Sequence, residues 1–209
     1  MHQISSPDQA LARLLEGNRR FVSGASAHAY AREARGSEPA AGQRPFATIF
    51  GCADSRVPVE LVFDQGFGDL FVIRNAGHII GESVLGSMEF AVTSIGCPLI
   101  VVLGHSSCGA VTAAVKAWNE RAYPPGHIAS IVRAIEPVVM TMDTRDIDEV
   151  MRAHVIDSVR MICEMSEVLA NEVRLGNVWL VAAEYDLTTK GVNVLRVVPH
   201  TQIAGACSV

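Results

Sequence analysis

Two short stretches of the chain hold side chains whose types and spacing suit metal ligation. Phe50-Gly-Cys-Ala-Asp-Ser-Arg56 spaces a thiol, a carboxylate and a guanidinium two residues apart, and Gly104-His-Ser-Ser-Cys-Gly109 sets an imidazole three residues before a thiol. Two thiolates and an imidazole are three good zinc ligands, and catalytic zinc sites take three protein ligands and leave a fourth position open. Asp54 follows Cys52 closely enough to be a fourth ligand. Arg56 can hold that carboxylate in a bidentate pair and keep it ionised. Taken singly, Cys52 or Cys108 reads as an ordinary buried thiol and His105 as a loop residue. Together they read as a catalytic zinc centre on Cys52, His105 and Cys108. A structural zinc site would normally be closed by four Cys or His ligands, and the chain has no Cys-x-x-Cys redox pair.

The flanking sequence explains how residues fifty positions apart could meet. Each stretch follows an apolar, β-branched run, Ala47–Phe50 and Leu99–Leu103, then breaks at glycine and continues into helical sequence. In an open parallel α/β sheet, ligands bind where strands end at their carboxyl side. Two adjacent strand ends would bring all five side chains into one crevice.

The remaining chain fits such a sheet. Ser6-Pro7-Asp8 reads as a helix start, and Leu11, Leu14, Leu15 and Phe21 recur at helical spacing up to Gly24. This arm precedes the sheet and is expected to lie across a second subunit; residues 25–45 read as a connector. Strands are expected at Phe46–Gly51, Leu70–Arg74, Leu99–Leu103, Val178–Ala183 and Val192–Val198, the last two joined by a hairpin-length turn at Thr188–Gly191. Helices are expected after Pro58, over Ser83–Ile95, Ala110–Trp118 and Ile128–Val139, and as one long helix from Asp146 to Gly176. Strands alternating with helices imply a single α/β domain. Its central sheet is mostly parallel, with an antiparallel edge strand, flanking helices and an N-terminal helical arm. Residues 1–45 form the arm and connector, and 46–209 the catalytic domain.

At 209 residues with 49% hydrophobic and 19% charged residues, the chain can bury a sizeable core. A mean hydropathy of +0.27 points to oligomerisation or a large core. The net charge of −5 without a basic run excludes a nucleic-acid partner. Apolar runs fall short of the ~20 residues that cross a bilayer. Asp8, Arg13 and Glu16 interrupt the N-terminus, so no secretory signal is read there. Five cysteines then suggest reduced thiols and a cytoplasmic address. Cys97, Cys163 and Cys207, without ligand-like neighbours, read as core or tail thiols.

The chain resembles the β-class carbonic anhydrases. Cys52-Ala-Asp-Ser-Arg56 matches that family's Cys-x-Asp-x-Arg motif and His105-Ser-Ser-Cys108 its His-x-x-Cys, with Arg74-Asn75 and Gly86–Ala91 adding to a likeness that runs from about Leu11 to the last hairpin. The resemblance implies zinc on Cys52, His105 and Cys108, and an Asp54–Arg56 dyad beside the metal, with Asp54 as fourth ligand in a closed state. It puts Gly109 in the loop under the substrate. Gln43 is implied as an amide that binds substrate across a subunit interface, and Phe71 and Phe90 as an apolar wall. The implied reaction is reversible hydration of carbon dioxide to bicarbonate and a proton, by hydroxide generated at zinc, in a homodimer or a dimer of dimers. Some family members bind bicarbonate at a second site of Trp, Arg and Tyr. Arg74 and Tyr185 match two of these, but Ile49 stands in the tryptophan's place, so Tyr185 reads as packing and Arg74 as an interface or salt-bridge residue. His78, in a loop, reads as solvated and is left out of the site. The same ligands also serve hydrolysis of carbonyl sulfide or carbon disulfide in similar enzymes, and a zinc-binding protein without activity is a third reading, disfavoured by the intact Asp54–Arg56 pair.

Overall fold

The computed structural model describes residues 6–27 and 42–198; most of the connector, and Cys207, lie outside them. Five strands, β1 (Ala47–Cys52), β2 (Leu70–Asn75), β3 (Leu99–His105), β4 (Trp179–Tyr185) and β5 (Val192–Val198), form one sheet in the order β2-β1-β3-β4-β5. The first four are mutually parallel and β5 pairs antiparallel with β4. The chain leaves β1 for one side and, after β2, crosses to the other side to form β3. That reversal makes the carboxyl ends of β1 and β3 the switch point of the sheet.

Alternation along the strands divides the core into two layers. Phe50 and Cys52 of β1, Ile100 and Val102 of β3, and Leu180 and Ala182 of β4 face helices α3 (Glu82–Thr93), α4 (Gly109–Glu120), α5 (Ile128–Thr141), α6 (Ile147–Met165) and α7 (Glu167–Arg174). Ile49, Val101, Leu103, Val181 and Tyr185 face the thinner layer of α1 (Pro7–Ser23) and α2 (Val59–Val62). Burial on both faces is why β1 and β3 read as continuous apolar runs.

Two expectations are revised. The arm, expected across a second subunit, is not without a seat on its own chain. Ala10 and Leu14 of α1 are fully buried against the sheet. Asn18 donates to the carbonyls of Val62 and Lys190, at 3.0 Å each, and accepts from the Val192 N–H. At Gly17 the helix comes so close that a Cβ would lie 1.8 Å from the Phe63 carbonyl oxygen. Nor is the segment after Asp146 one helix. Ser166 leaves helical geometry (φ −128°, ψ 103°), accepts from the Leu169 N–H and starts α7. Apolar periodicity runs on through Ile162, Leu169 and Val173, all fully buried, and so hid the break. At its other end α6 starts as expected, with the Asp146 carboxylate capping the N–H groups of Asp148 and Glu149.

Candidate metal centre

The last residue of β1 and the last of β3 are both proposed ligands, and α4 begins one residue after the third. Cys52 ends β1, His105 ends β3, and Cys108 is the N-cap of α4. Their ligand atoms all lie within 4.8 Å of one another and the residues are buried, so the group could hold a metal ion. The chemistry of the donor set supports this. His105 Nδ1 is 2.9 Å from the Ser106 carbonyl, which makes it the protonated nitrogen, while Nε2 is buried with no hydrogen-bond partner. A buried ring nitrogen left with a free lone pair beside two thiols fits a metal.

The thiols show the same crowding electrically. The neighbouring Cys108, with help from His105 and the Gly77 N–H at 3.4 Å, lowers the Cys52 pKa against the effect of burial. The closeness of Cys52, with burial, pushes the Cys108 thiol the other way, up from its ordinary value. The pair thus keeps one proton between them until a cation replaces it. Burial opposes charging of His105, but Cys52, the Ser106 carbonyl and Asp54 together raise its pKa.

Asp54 and Arg56 form the expected bidentate pair. Arg56 Nε donates to Oδ1 at 2.9 Å, Nη2 to Oδ2 at 2.8 Å, and the Arg56 backbone N–H adds a bond to Oδ1 at 2.9 Å. The guanidinium beside it, more than any other group, holds the Asp54 carboxyl well below the usual carboxylate range. Oδ2 is 3.8 Å from His105 Nε2, so an ionised oxygen borders the space among the ligands.

The structure therefore brings together Cys52, Asp54, Arg56, His105 and Cys108, with Gly109 as first residue of α4. Within one chain it does not bring Gln43, Phe71 or Phe90 there. Phe71 pairs with Thr48, four positions before the Cys52–Asn75 pair and about 13 Å along the strand. Phe90 is half-exposed with its ring 6.5 Å from that of Phe71, and Gln43 is exposed before the opposite end of β1. Three roles escaped the sequence. Arg74 is a support for the site rather than a salt-bridge residue: it donates to the carbonyls of Cys52 at 2.8 Å and Asp54 at 2.6 Å. His78 is not solvated but fully buried, its ring 4.4 Å from that of His154. Asp148 of α6 accepts from the Ser107 N–H at 2.7 Å. Arg74, preceding Asn75 at a strand end, carried a sequence signal; the other two carried none. Tyr185 is buried packing as expected, and Cys97 is a core thiol that accepts from Thr48.

A parallel α/β sheet with a Cys-His-Cys group at its switch point and an Asp–Arg dyad alongside defines a metal-dependent enzyme of the β-carbonic anhydrase type. The family profile described as Carbonic anhydrase matches residues 47–192. Carbonic anhydrase 2 of Mycobacterium tuberculosis is 44% identical over 187 residues, 88% of this chain and 90% of that protein. The carbonic anhydrase of Mycolicibacterium smegmatis is 41% identical over 186 residues, again 88% and 90%. The structure of a Coccomyxa β-carbonic anhydrase in complex with acetazolamide superposes with a TM-score of 0.73 at 25% identity, covering 94% of this chain and 91% of that one. The chain belongs to the β class of the carbonic anhydrase family.

Proposed function

We infer that Cys52, His105 and Cys108 hold a zinc ion at which carbon dioxide is reversibly hydrated to bicarbonate and a proton. Membership of the family supports the reaction, and one observation carries the site: three ligand atoms within 4.8 Å, one of them a buried imidazole nitrogen with no other partner. When bound, zinc supplies the Lewis acidity that makes hydroxide available from water near neutral pH.

The chain's own residues orient the reaction. Arg56 keeps Asp54 ionised and fixes both its oxygens, so the carboxylate can accept a hydrogen bond from the attacking O–H and aim its lone pair at carbon dioxide. The Gly77 N–H steadies the Cys52 sulfur, and Arg74 fixes the backbone on either side of Ala53. His78, fully buried, is not positioned to pass the product proton to solvent. Gln43, Phe71 and Phe90 are assigned to the substrate pocket of a second copy, as homodimer or dimer of dimers. The exposure of Gln43 and Phe90, and the half-burial of Phe71 beside Phe90, support that placement. The chain acts as one catalytic domain, 46–209, with the arm and connector of 1–45 attached. No helix among the described residues is long and apolar enough to cross a membrane. We assign the enzyme to the cytoplasm on its thiols Cys52, Cys97 and Cys108, which are free cysteines.

The test is stopped-flow carbon dioxide hydration on protein with quantified metal. About one zinc per chain is expected, and Cys108→Ser should lose both metal and activity, because a neutral hydroxyl is a poor substitute for thiolate. Full zinc occupancy in that variant would sink the ligand assignment.

A further inference from the structure

Ser107 lies between the two ligands that the end of β3 supplies, and its backbone is left-handed, with φ 55°. A side chain with a Cβ crowds the next carbonyl in that region, so serine does not stay there without outside support. The turn is essential to the geometry. It reverses the chain between His105, still in the strand, and Cys108, already capping α4, so that both face Cys52.

Both peptide groups of Ser107 are held by distant residues. Its N–H donates to Asp148 Oδ1 at 2.7 Å, and its carbonyl accepts from Arg56 Nη2 at 3.4 Å. Neighbouring loop groups are tied instead to β4 and the turn beyond it: the Ser106 N–H donates to the Tyr185 carbonyl at 3.0 Å and Ser106 Oγ accepts from the Leu187 N–H at 2.9 Å. Ser107 therefore depends on Asp148 and Arg56 alone among the bonds seen in the described residues.

The placement of Asp148 is itself fixed. Helix α6 lies so close to β3 that a Cβ at Gly104 would meet Val155 Cγ2 at 2.4 Å and Met151 Sδ at 2.5 Å. One turn after Asp148, Arg152 makes a bidentate pair with the buried Glu184, at 2.9 and 3.2 Å, and Glu184 is the β4 neighbour of Gly104. The helix can neither slide nor roll without breaking these contacts, so the carboxylate is delivered to the Ser107 N–H at a set position.

We propose that Asp148 is a positioning residue for the metal centre: with Arg56 it clamps the Ser107 peptide, and this holds His105 and Cys108 in ligating geometry. The proposal rests on those two residues being ligands. It also gives Arg56 a second task, since one guanidinium then joins the Asp54 carboxylate to the loop that bears the ligands.

The experiment compares Asp148→Ala, Asp148→Asn, and Asp148→Ala combined with Ser107→Gly, in the full-length zinc enzyme. Zinc release to a chelator and the sulfur-to-metal charge-transfer band of the cobalt form report on the centre. Hydrogen exchange at the Ser107 amide reports on the clamp without needing metal. Asp148→Ala should release zinc roughly 10- to 100-fold faster, the usual effect of losing a partner that orients a ligand loop, and Ser107 should lose protection. Asp148→Asn keeps an acceptor oxygen and should stay closer to the parent than to the alanine variant. Glycine accepts the left-handed turn unaided, so the double variant should recover at least about half of the loss on a logarithmic scale. Parent-like zinc release and Ser107 exchange in Asp148→Ala would overturn the proposal. So would an equal loss in the glycine background, which would place the effect in the start of α6. A parent whose cobalt form lacks the sulfur band overturns the ligand assignment and the role at the metal with it. Unchanged Ser107 exchange in Asp148→Ala, when the parent's cobalt form has the band, defeats the clamp alone.

Discussion

The carboxyl end of the sheet and its β2 edge are built in opposite ways. Around Cys52, His105 and Cys108 the backbone is tied down from three directions: Arg74 from β2, the turn after β4, and Asp148 from α6. The His105 Nε2 among the ligands is left over, where a metal would use it. Along β2 every residue is only half-buried, and Phe90 on the adjoining α3 is 51% exposed. The lesson is that one chain brings the candidate ligands together by itself, whereas Phe71 and Phe90 lie against each other away from them and Gln43 is exposed. Preorganisation is concentrated where charge must be controlled, and the β2 edge is left open.

Removing Arg56 should break this contrast most severely. Arg56→Ala frees the Asp54 carboxylate, 3.8 Å from His105 Nε2, to compete for the fourth zinc position, and also releases the Ser107 carbonyl. We expect hydration to fall on the order of a hundredfold at neutral pH. X-ray absorption on the zinc protein should show an added oxygen in place of an exchangeable ligand. An Arg56→Ala enzyme with parental turnover would show that the dyad is not part of the machinery.

A smaller effect is expected at the other region. Phe90→Asp adds charge to the exposed aromatic pair without touching the ligand-bearing strands, so zinc content should stay at about one per chain. If Phe90 packs against a second copy, its subunit dissociation constant should rise at least about tenfold, the usual consequence of losing a buried aromatic anchor. Activity should fall in parallel at low protein concentration. Sedimentation velocity across a dilution series decides it. An unchanged assembly would mean that the β2 edge is simply solvent-facing.

The uneven legibility of the sequence follows the same division. Cys52, Asp54, Arg56, His105 and Cys108 were readable because metal ligation imposes residue types at short spacings, and their strands were readable because burial on both faces makes apolar runs. The α1 seat was not readable. It depends on Gly17, which lies against the Phe63 carbonyl, and on Asn18, whose partners Val62 and Lys190 are 44 and 172 residues away, and glycine and asparagine in a helix leave no periodic signal. Asp148 reads as one more acid at a helix start, because only the docking of α6 on Gly104 turns it toward Ser107. His78 misled for the converse reason: a polar residue in a glycine-rich loop suggests solvent, and β1, β3, α4 and α5 pack against that loop and bury it, with His154 of α6 beside the ring.

That buried histidine gives the finest test of the clamped end. His78 is fully buried with neither ring nitrogen hydrogen-bonded, and lies edge-on to Phe50. Burial, then the facing His154 and His105, depress its pKa well below the ordinary value. His154, bonded through Nε2 to the Gly77 carbonyl at 3.0 Å, is lowered too, chiefly by burial, with the Gly77 bond and Asp157 acting the other way. A base with a depressed folded pKa stays neutral in the native protein while the unfolded chain takes up a proton below about pH 6.5. Its contribution to stability is therefore whole above that pH and is lost as pH falls. Between pH 6.5 and 5.5 the loss from one such histidine is roughly 1 kcal/mol. His78→Phe keeps an aromatic ring and removes the titration, so urea midpoints of the variant should fall less steeply than the parent's over that interval. Protonation of the zinc ligands is common to both proteins and cancels in the difference. The absolute stability at pH 7.5 is not the readout, because deleting two unpartnered nitrogens can itself stabilise. Parallel pH profiles for parent and variant would mean that His78 reaches solvent in the native state, and that the clamped end is looser than its hydrogen bonds imply.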